Sequence, residues 1–152
     1  MKYFWGFLFL LGLGCSEARF IGGYDAKVDS GIETVSRQVS KIFVELEDRI
    51  NEQKDWSYPN FKEDYLKIQS ELKALRIRVS GLSQYGIMRQ QLDLLEQSIG
   101  TLAKDHQLGF VAPGVTDLSA LKNAIRVDET AISSSLSSML ALQEGLKRKK
   151  GG

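Results

Sequence analysis

The sequence predicts an all-α protein, an antiparallel up-down-up-down four-helix bundle with two long helices (the first and last) and two shorter ones. Three observations carry this. Apolar residues recur at alternating spacings of three and four along four separate stretches, the period of an amphipathic helix seam. No stretch shows the period-two alternation of a half-buried strand. Short breaks bearing glycine or proline divide the stretches, and short breaks force neighbouring helices to run antiparallel.

The first stripe is Val28, Ile32, Val35, Val39, Ile42, Leu46 and Ile50, which places a helix over 25–54. Trp56-Ser57-Tyr58-Pro59 interrupts it, because proline has no N–H to give a helix interior. Asn60 followed by Glu63 has the pattern of an N-cap with a capping-box acid, and opens a second helix over 60–80. Its stripe is Phe61, Tyr65, Ile68, Leu72, Leu75, Val79 and Leu82. Gly81 and Gly86, with Ser83 and Gln84 between them, argue against a three-helix arrangement in which the second and third helices merge. The third helix covers 86–107, with Met88, Leu92, Leu95, Ile99 and Leu102 on its stripe and His106 in the next slot. Residues 109–114, including Pro113, make the third turn, and Thr116 is placed to cap a fourth helix over 116–148.

The fourth stripe is Leu118, Leu121, Ile125, Ile132, Met139, Leu142 and Leu146, less regular because Asp128 and Ser135 occupy seam slots. The run Ser133-Ser134-Ser135-Leu136-Ser137-Ser138 has two readings. One is a close approach of a neighbouring helix along a small-residue face, with a stagger to Leu136 and Leu140. The other is a polar groove for a ligand or partner helix. At 1.5 Å per residue the outer helices are roughly 45–50 Å long and the inner two roughly 30–35 Å. The first helix begins and the fourth ends at one pole.

Residues 1–16 read MKYFWGFLFLLGLGCS. Lys2 precedes an apolar run that ends at Leu13, shorter than the roughly 20 residues that span a bilayer. The pattern is that of an export signal. Leu11-Gly12-Leu13-Gly14-Cys15 resembles the lipobox of bacterial lipoproteins, with Gly12 where that family most often has leucine. The resemblance implies cleavage before Cys15 and lipid attached to its thiol. It divides the chain into a signal peptide (1–14), a lipidated linker (15–24), the bundle (25–148) and a basic tail (149–152). Ser16 after the cysteine implies the outer membrane, facing the periplasm, in an organism that has one. The alternative is cleavage after Ala18, which removes Cys15 and releases a secreted protein.

The tail supplies Lys147, Arg148, Lys149 and Lys150, a polybasic segment suited to an anionic membrane surface at the pole of the chain start. The alternative is a solvated, frayed tail whose cations complement the dipole of the fourth helix. The opposite pole collects Trp56 and Tyr58 after the first helix and Phe110 and Val111 after the third. These are candidates for a partner-binding tip, since aromatic rings anchor interfaces. The alternative is that they plug the open end of the bundle.

Composition excludes several classes. Loss of the leader removes Lys2, so the 20 basic residues fall to 19 and balance the 19 acids. A neutral body is a poor match to nucleic acid. A lone cysteine excludes an intrachain disulfide framework. With a single histidine and no Glu-x-x-His, Cys-x-x-Cys-His, Walker loop or nucleophile elbow, no catalytic set, metal site or cofactor site assembles. Glu45, Glu47, Asp48 and Glu52, interleaved with Arg49 and Lys54, read as a solvated face. The segments LKALRIRVSG and LDLLEQSIGTL are similar to small exported helical bacterial proteins of uncharacterised function, a resemblance over 60–148 that implies no activity. The expectation is a non-catalytic cell-envelope lipoprotein acting as a scaffold or accessory factor through protein–protein contact. The alternative is a soluble periplasmic or secreted bundle that binds a small ligand. Phe43, Val44 and Ile77 fall off the main stripes and leave a homo-oligomer open.

Overall fold

Four helices account for the fold, and a computed structural model describes residues 23–83, 85–110 and 117–151 of it. They are α1 (Ala26–Asn51), α2 (Lys62–Ser80), α3 (Gly86–Gln107) and α4 (Leu118–Gly151), with a single 3₁₀ turn, Tyr58–Asn60, before α2. There is no strand among the described residues. The leader, Cys15, Val111, Pro113 and Thr116 lie outside them.

Each helix packs on two neighbours, α1 on α2 and α4, and α3 on α2 and α4, which closes a four-helix square. Cross-helix pairs fix the directions. Arg78 near the end of α2 meets Asp25 at the start of α1 at 2.6 Å, and Lys41 midway along α1 meets Asp64 near the start of α2 at 2.9 Å. Arg76 of α2 bridges Asp93 and Glu96 of α3 across the intervening turn. Lys122 at the start of α4 donates to the Asn51 side chain at the end of α1 at 2.6 Å. Lys147 at the far end of α4 lies 5.9 Å from the centre of the Tyr24 ring, just ahead of α1. The topology is therefore up-down-up-down.

The seams of α1, α2 and α3 are the predicted stripes, buried throughout, with Leu82 only half-buried and Phe43 added from α1. Gly31 lets α1 and α2 approach closely: a Cβ there would fall 2.5 Å from a Leu75 methyl carbon. In α4 the stripe differs from expectation. Leu118 is half exposed and Leu142 half-buried; the stagger to Leu136 is present, with Leu140 half-buried against the core, and Gln143 turns inward as well. The buried positions Leu121, Ile125, Ile132, Leu136, Met139, Gln143 and Leu146 change phase at Ile132. A straight helix drifts about 20° per heptad, and a spacing of four after Ile132 follows that drift. The serine run consequently faces outward: Ser133, Ser134, Ser137 and Ser138 are exposed, and the Ser138 hydroxyl donates back to the Ser134 carbonyl. It is not a close-approach face between helices.

The ends also move. α1 stops at Asn51 rather than 54, making it about 39 Å long, whereas α4 continues to Gly151 and reaches about 51 Å. The expected basic tail is therefore the last turn of α4. Asp25 caps α1 through backbone N–H groups of Lys27 and Val28. Asn60 does not cap α2; it lies in the 3₁₀ turn and its amide donates to the Asp55 carbonyl. At α4 the Asp117 carboxylate accepts from the Ala120 N–H, the bond of an N-cap.

Candidate functional site

Two poles concentrate chemistry. The aromatic pole is built by the C-termini of α1 and α3, which end in the same way. At α3, Phe110 N–H bonds the Asp105 carbonyl and Gly109 N–H bonds the His106 carbonyl. At α1, Lys54 N–H bonds the Arg49 carbonyl and Gln53 N–H bonds the Ile50 carbonyl. Both are Schellman closures, which require a left-handed residue after the helix. Gly109 takes that conformation at φ 69°, and Gln53 takes it at φ 54°. Each closure turns the chain back over the bundle end and delivers an aromatic residue, Phe110 from one side and Trp56 from the other.

His106 sits where these segments meet, 1% exposed. Its Nε2–H donates to the Trp56 carbonyl at 2.7 Å, and the Tyr65 hydroxyl donates to Nδ1 at 3.1 Å. Phe110 stacks on the imidazole at 5.0 Å between centroids, Phe61 tilts against it at 4.9 Å, and Tyr58 meets it edge-on at 5.7 Å. Arg49 braces the group: its guanidinium bonds Glu45 and the Asp55 carbonyl and lies 5.4 Å from the centre of Phe61. Burial pushes the His106 pKa below its ordinary value, with the Trp56 carbonyl opposing in part. Burial also raises the Tyr65 phenol far above the usual range. Bonds from Ser57 and Asn60 hold the Asp55 carboxyl below the usual carboxylate value.

Of the predicted tip residues, Phe110 is 3% exposed and belongs to the core, so it is no free docking ring. Trp56 and Tyr58 are half-buried, each with one side packed inward. With Asp55, Pro59 and Gln107 they edge an open cavity of about 300 Å³ whose floor is His106. Val111 lies outside the described residues. The sequence pattern gave no hint that Tyr65 would serve His106. The available signal was a tyrosine on an apolar seam, whose hydroxyl needs a partner once buried.

The basic pole joins the start of α1, the α2–α3 turn and the end of α4. The Tyr85 hydroxyl donates to the Gly23 carbonyl, Tyr24 donates to Asp29 at 3.0 Å, and Arg78 grips Asp25 through two nitrogens. Arg78 is the main reason the Asp25 carboxyl sits below its ordinary value. A cavity of about 360 Å³ opens here beside Gly23, Tyr24, Gly81 and Tyr85. Lys147, Arg148 and Lys149 are exposed. Lys150 lies within the helical backbone of α4, and Cys15 lies outside the described residues.

Val44 and Ile77 are exposed, while Phe43 is buried and contributes nothing to a surface seam. Among the described residues no three His, Cys, Asp or Glu side chains gather as a metal would need, and no helix is long and apolar enough to cross a membrane. Comparison with protein-family models, curated proteins and solved structures finds no match, so the functional reading rests on these two poles.

Proposed function

We propose that this chain is a non-catalytic, lipid-anchored helical bundle of a bacterial cell envelope that works as a scaffold or accessory factor through protein contact. The observation that supports this reading is the shared pole. The last residue of the linker, Tyr24, meets Lys147 at 5.9 Å, so a lipidated Cys15 nine residues earlier and the basic end of α4 would address one membrane face. A lipid anchor plus a polybasic segment is a stable combination, at about 1 kcal/mol per basic residue on an anionic surface. The body then projects its aromatic pole away from the bilayer, with Trp56 and Tyr58 at the tip.

Metabolic labelling tests the anchor. Labelled palmitate should enter the wild-type chain and be lost in Cys15→Ala. In flotation on anionic vesicles, changing Lys147, Arg148, Lys149 and Lys150 to glutamine should weaken binding at least about tenfold, with little change on neutral vesicles. Absence of label would remove the lipoprotein reading. The cavity at the aromatic pole favours a second reading, a released bundle that takes a small ligand there. A small molecule co-purifying with a chain that begins after Ala18 would support it over the first.

A further inference from the structure

His106 is the single histidine of the chain, and both its ring nitrogens are built into the pole. A carbonyl only accepts, so the bond to Trp56 fixes the proton on Nε2 and leaves the lone pair on Nδ1. The Tyr65 hydroxyl fills that lone pair. The one ring thereby ties the segment before α2, through Trp56, to α2, through Tyr65, and to its own helix α3. A proton added at Nδ1 would set an N–H against the Tyr65 O–H. Tyr65 would have to turn its hydrogen away among packed rings, and the imidazolium would be buried.

The charged and titratable groups around the site give it little relief. Arg49 of α1 lies over Phe61 with the same sign of charge. Asp55 is engaged by Ser57, and Tyr58 of the 3₁₀ turn and Tyr65 of α2 are neutral phenols. On α3, Lys104 is exposed and Asp105 half-buried. On α4, Asp128 is half-buried; its charge helps raise the Tyr65 phenol, and Asp105 in turn helps raise Asp128. Among the described residues none of these acids forms an ion pair with the ring, and the largest influence on its protonation is burial.

We infer that the aromatic pole is an acid-released clasp, in which protonation of His106 at Nδ1 removes the acceptor for the Tyr65 hydroxyl, buries a charge among the packed rings and frees the segment carrying Trp56 and Tyr58. The sign follows from linkage. The folded chain holds the imidazole neutral below the ordinary histidine value, so this stabilisation is complete above about pH 6.5. It is lost as the pH falls through the lower folded value. Each unit between the two values corresponds to a tenfold loss in the closed-to-open ratio. Asp128 works in the opposite sense, since burial raises its pKa and acid relieves it.

The test is a pH titration of the full chain. Imidazole NMR signals should report an Nε2–H tautomer that titrates below pH 6.5. In the same range the amides of Ser57, Asn60 and Phe61 should lose about tenfold or more of their hydrogen-exchange protection, after correction for intrinsic rates. Tyr65→Phe should move the midpoint upward, because the neutral ring loses the bond that favours it. His106→Gln should abolish the step, and Asp128→Asn should leave it in place. An imidazole titrating at its ordinary value, or protection at Ser57, Asn60 and Phe61 unchanged while His106 titrates, would overturn the proposal. So would a step that survives in His106→Gln. The wild-type signals decide even if a variant fails to fold.

Discussion

At the scale of single residues, the two helix ends beneath the aromatic pole differ in one informative way. Both close with a left-handed residue, but α3 uses Gly109 and α1 uses Gln53. A side chain in that conformation costs roughly 1 kcal/mol, which glycine avoids. Gln53 is exposed and none of its side-chain atoms is held by a hydrogen bond among the described residues. Gln53→Gly should therefore stabilise the fold by about 0.5–1 kcal/mol, read as a higher denaturant midpoint with an unchanged slope. A lower midpoint would mean that the Gln53 side chain does something its exposure conceals. His106 is the other residue-scale lesson. Its place at the end of an apolar stripe points to a half-buried seam or capping ring, and the structure buries it almost completely, at 1% exposed. Its partners could not be predicted from the chain, because Tyr65 and Trp56 approach it from 41 and 50 residues away.

At the scale of elements, α4 stands apart. Ion pairs and hydrogen bonds lace α1, α2 and α3 together, whereas among the described residues α4 is held mainly by apolar contact, with a bond from Lys122 to Asn51 and the Lys147–Tyr24 contact. Its seam carries Gln143, which is 0% exposed. Burial raises the Tyr85 phenol above its ordinary value and the nearby Gln143 amide opposes this in part, yet neither polar atom of that amide reaches hydrogen-bond geometry. A buried amide without a bond costs about 1–3 kcal/mol. Gln143→Met keeps the length of the side chain and removes the polar atoms, so it should stabilise by about 1 kcal/mol or more in equilibrium unfolding. A loss of stability instead would show that the amide is satisfied, for instance by a buried water. This helix was also the least legible in the sequence. Stripes in which every seam slot but that of His106 is apolar or aromatic left α1 to α3 one possible inner face. In α4, Asp128 and Ser135 broke the strict heptad, and Leu136 against Ser135 or Gln143 against Leu142 are adjacent choices separated by 100° of helix. Only packing against α1 and α3 selects between them. The caps were similarly ambiguous: Asn60 had the right residue type, but the turn around Pro59 took its amide for Asp55.

At the scale of the whole molecule, antiparallel connectivity sorts the chemistry to opposite ends. The start of α1 and the end of α4 share the basic pole, and the two Schellman turns share the aromatic one. The length of α1 sets a separation of about 39 Å between them. That is several screening lengths in physiological salt, so the poles act as electrically independent surfaces. In the proposed arrangement the basic pole faces a bilayer and the aromatic pole faces away. Position-resolved quenching measures this directly. A fluorophore is placed through Lys149→Cys or Ser57→Cys on the acylated chain, in anionic vesicles whose headgroups carry a quencher. Strong quenching is expected at position 149 and none at position 57. Quenching at position 57, or equal signals from both sites, would contradict that arrangement.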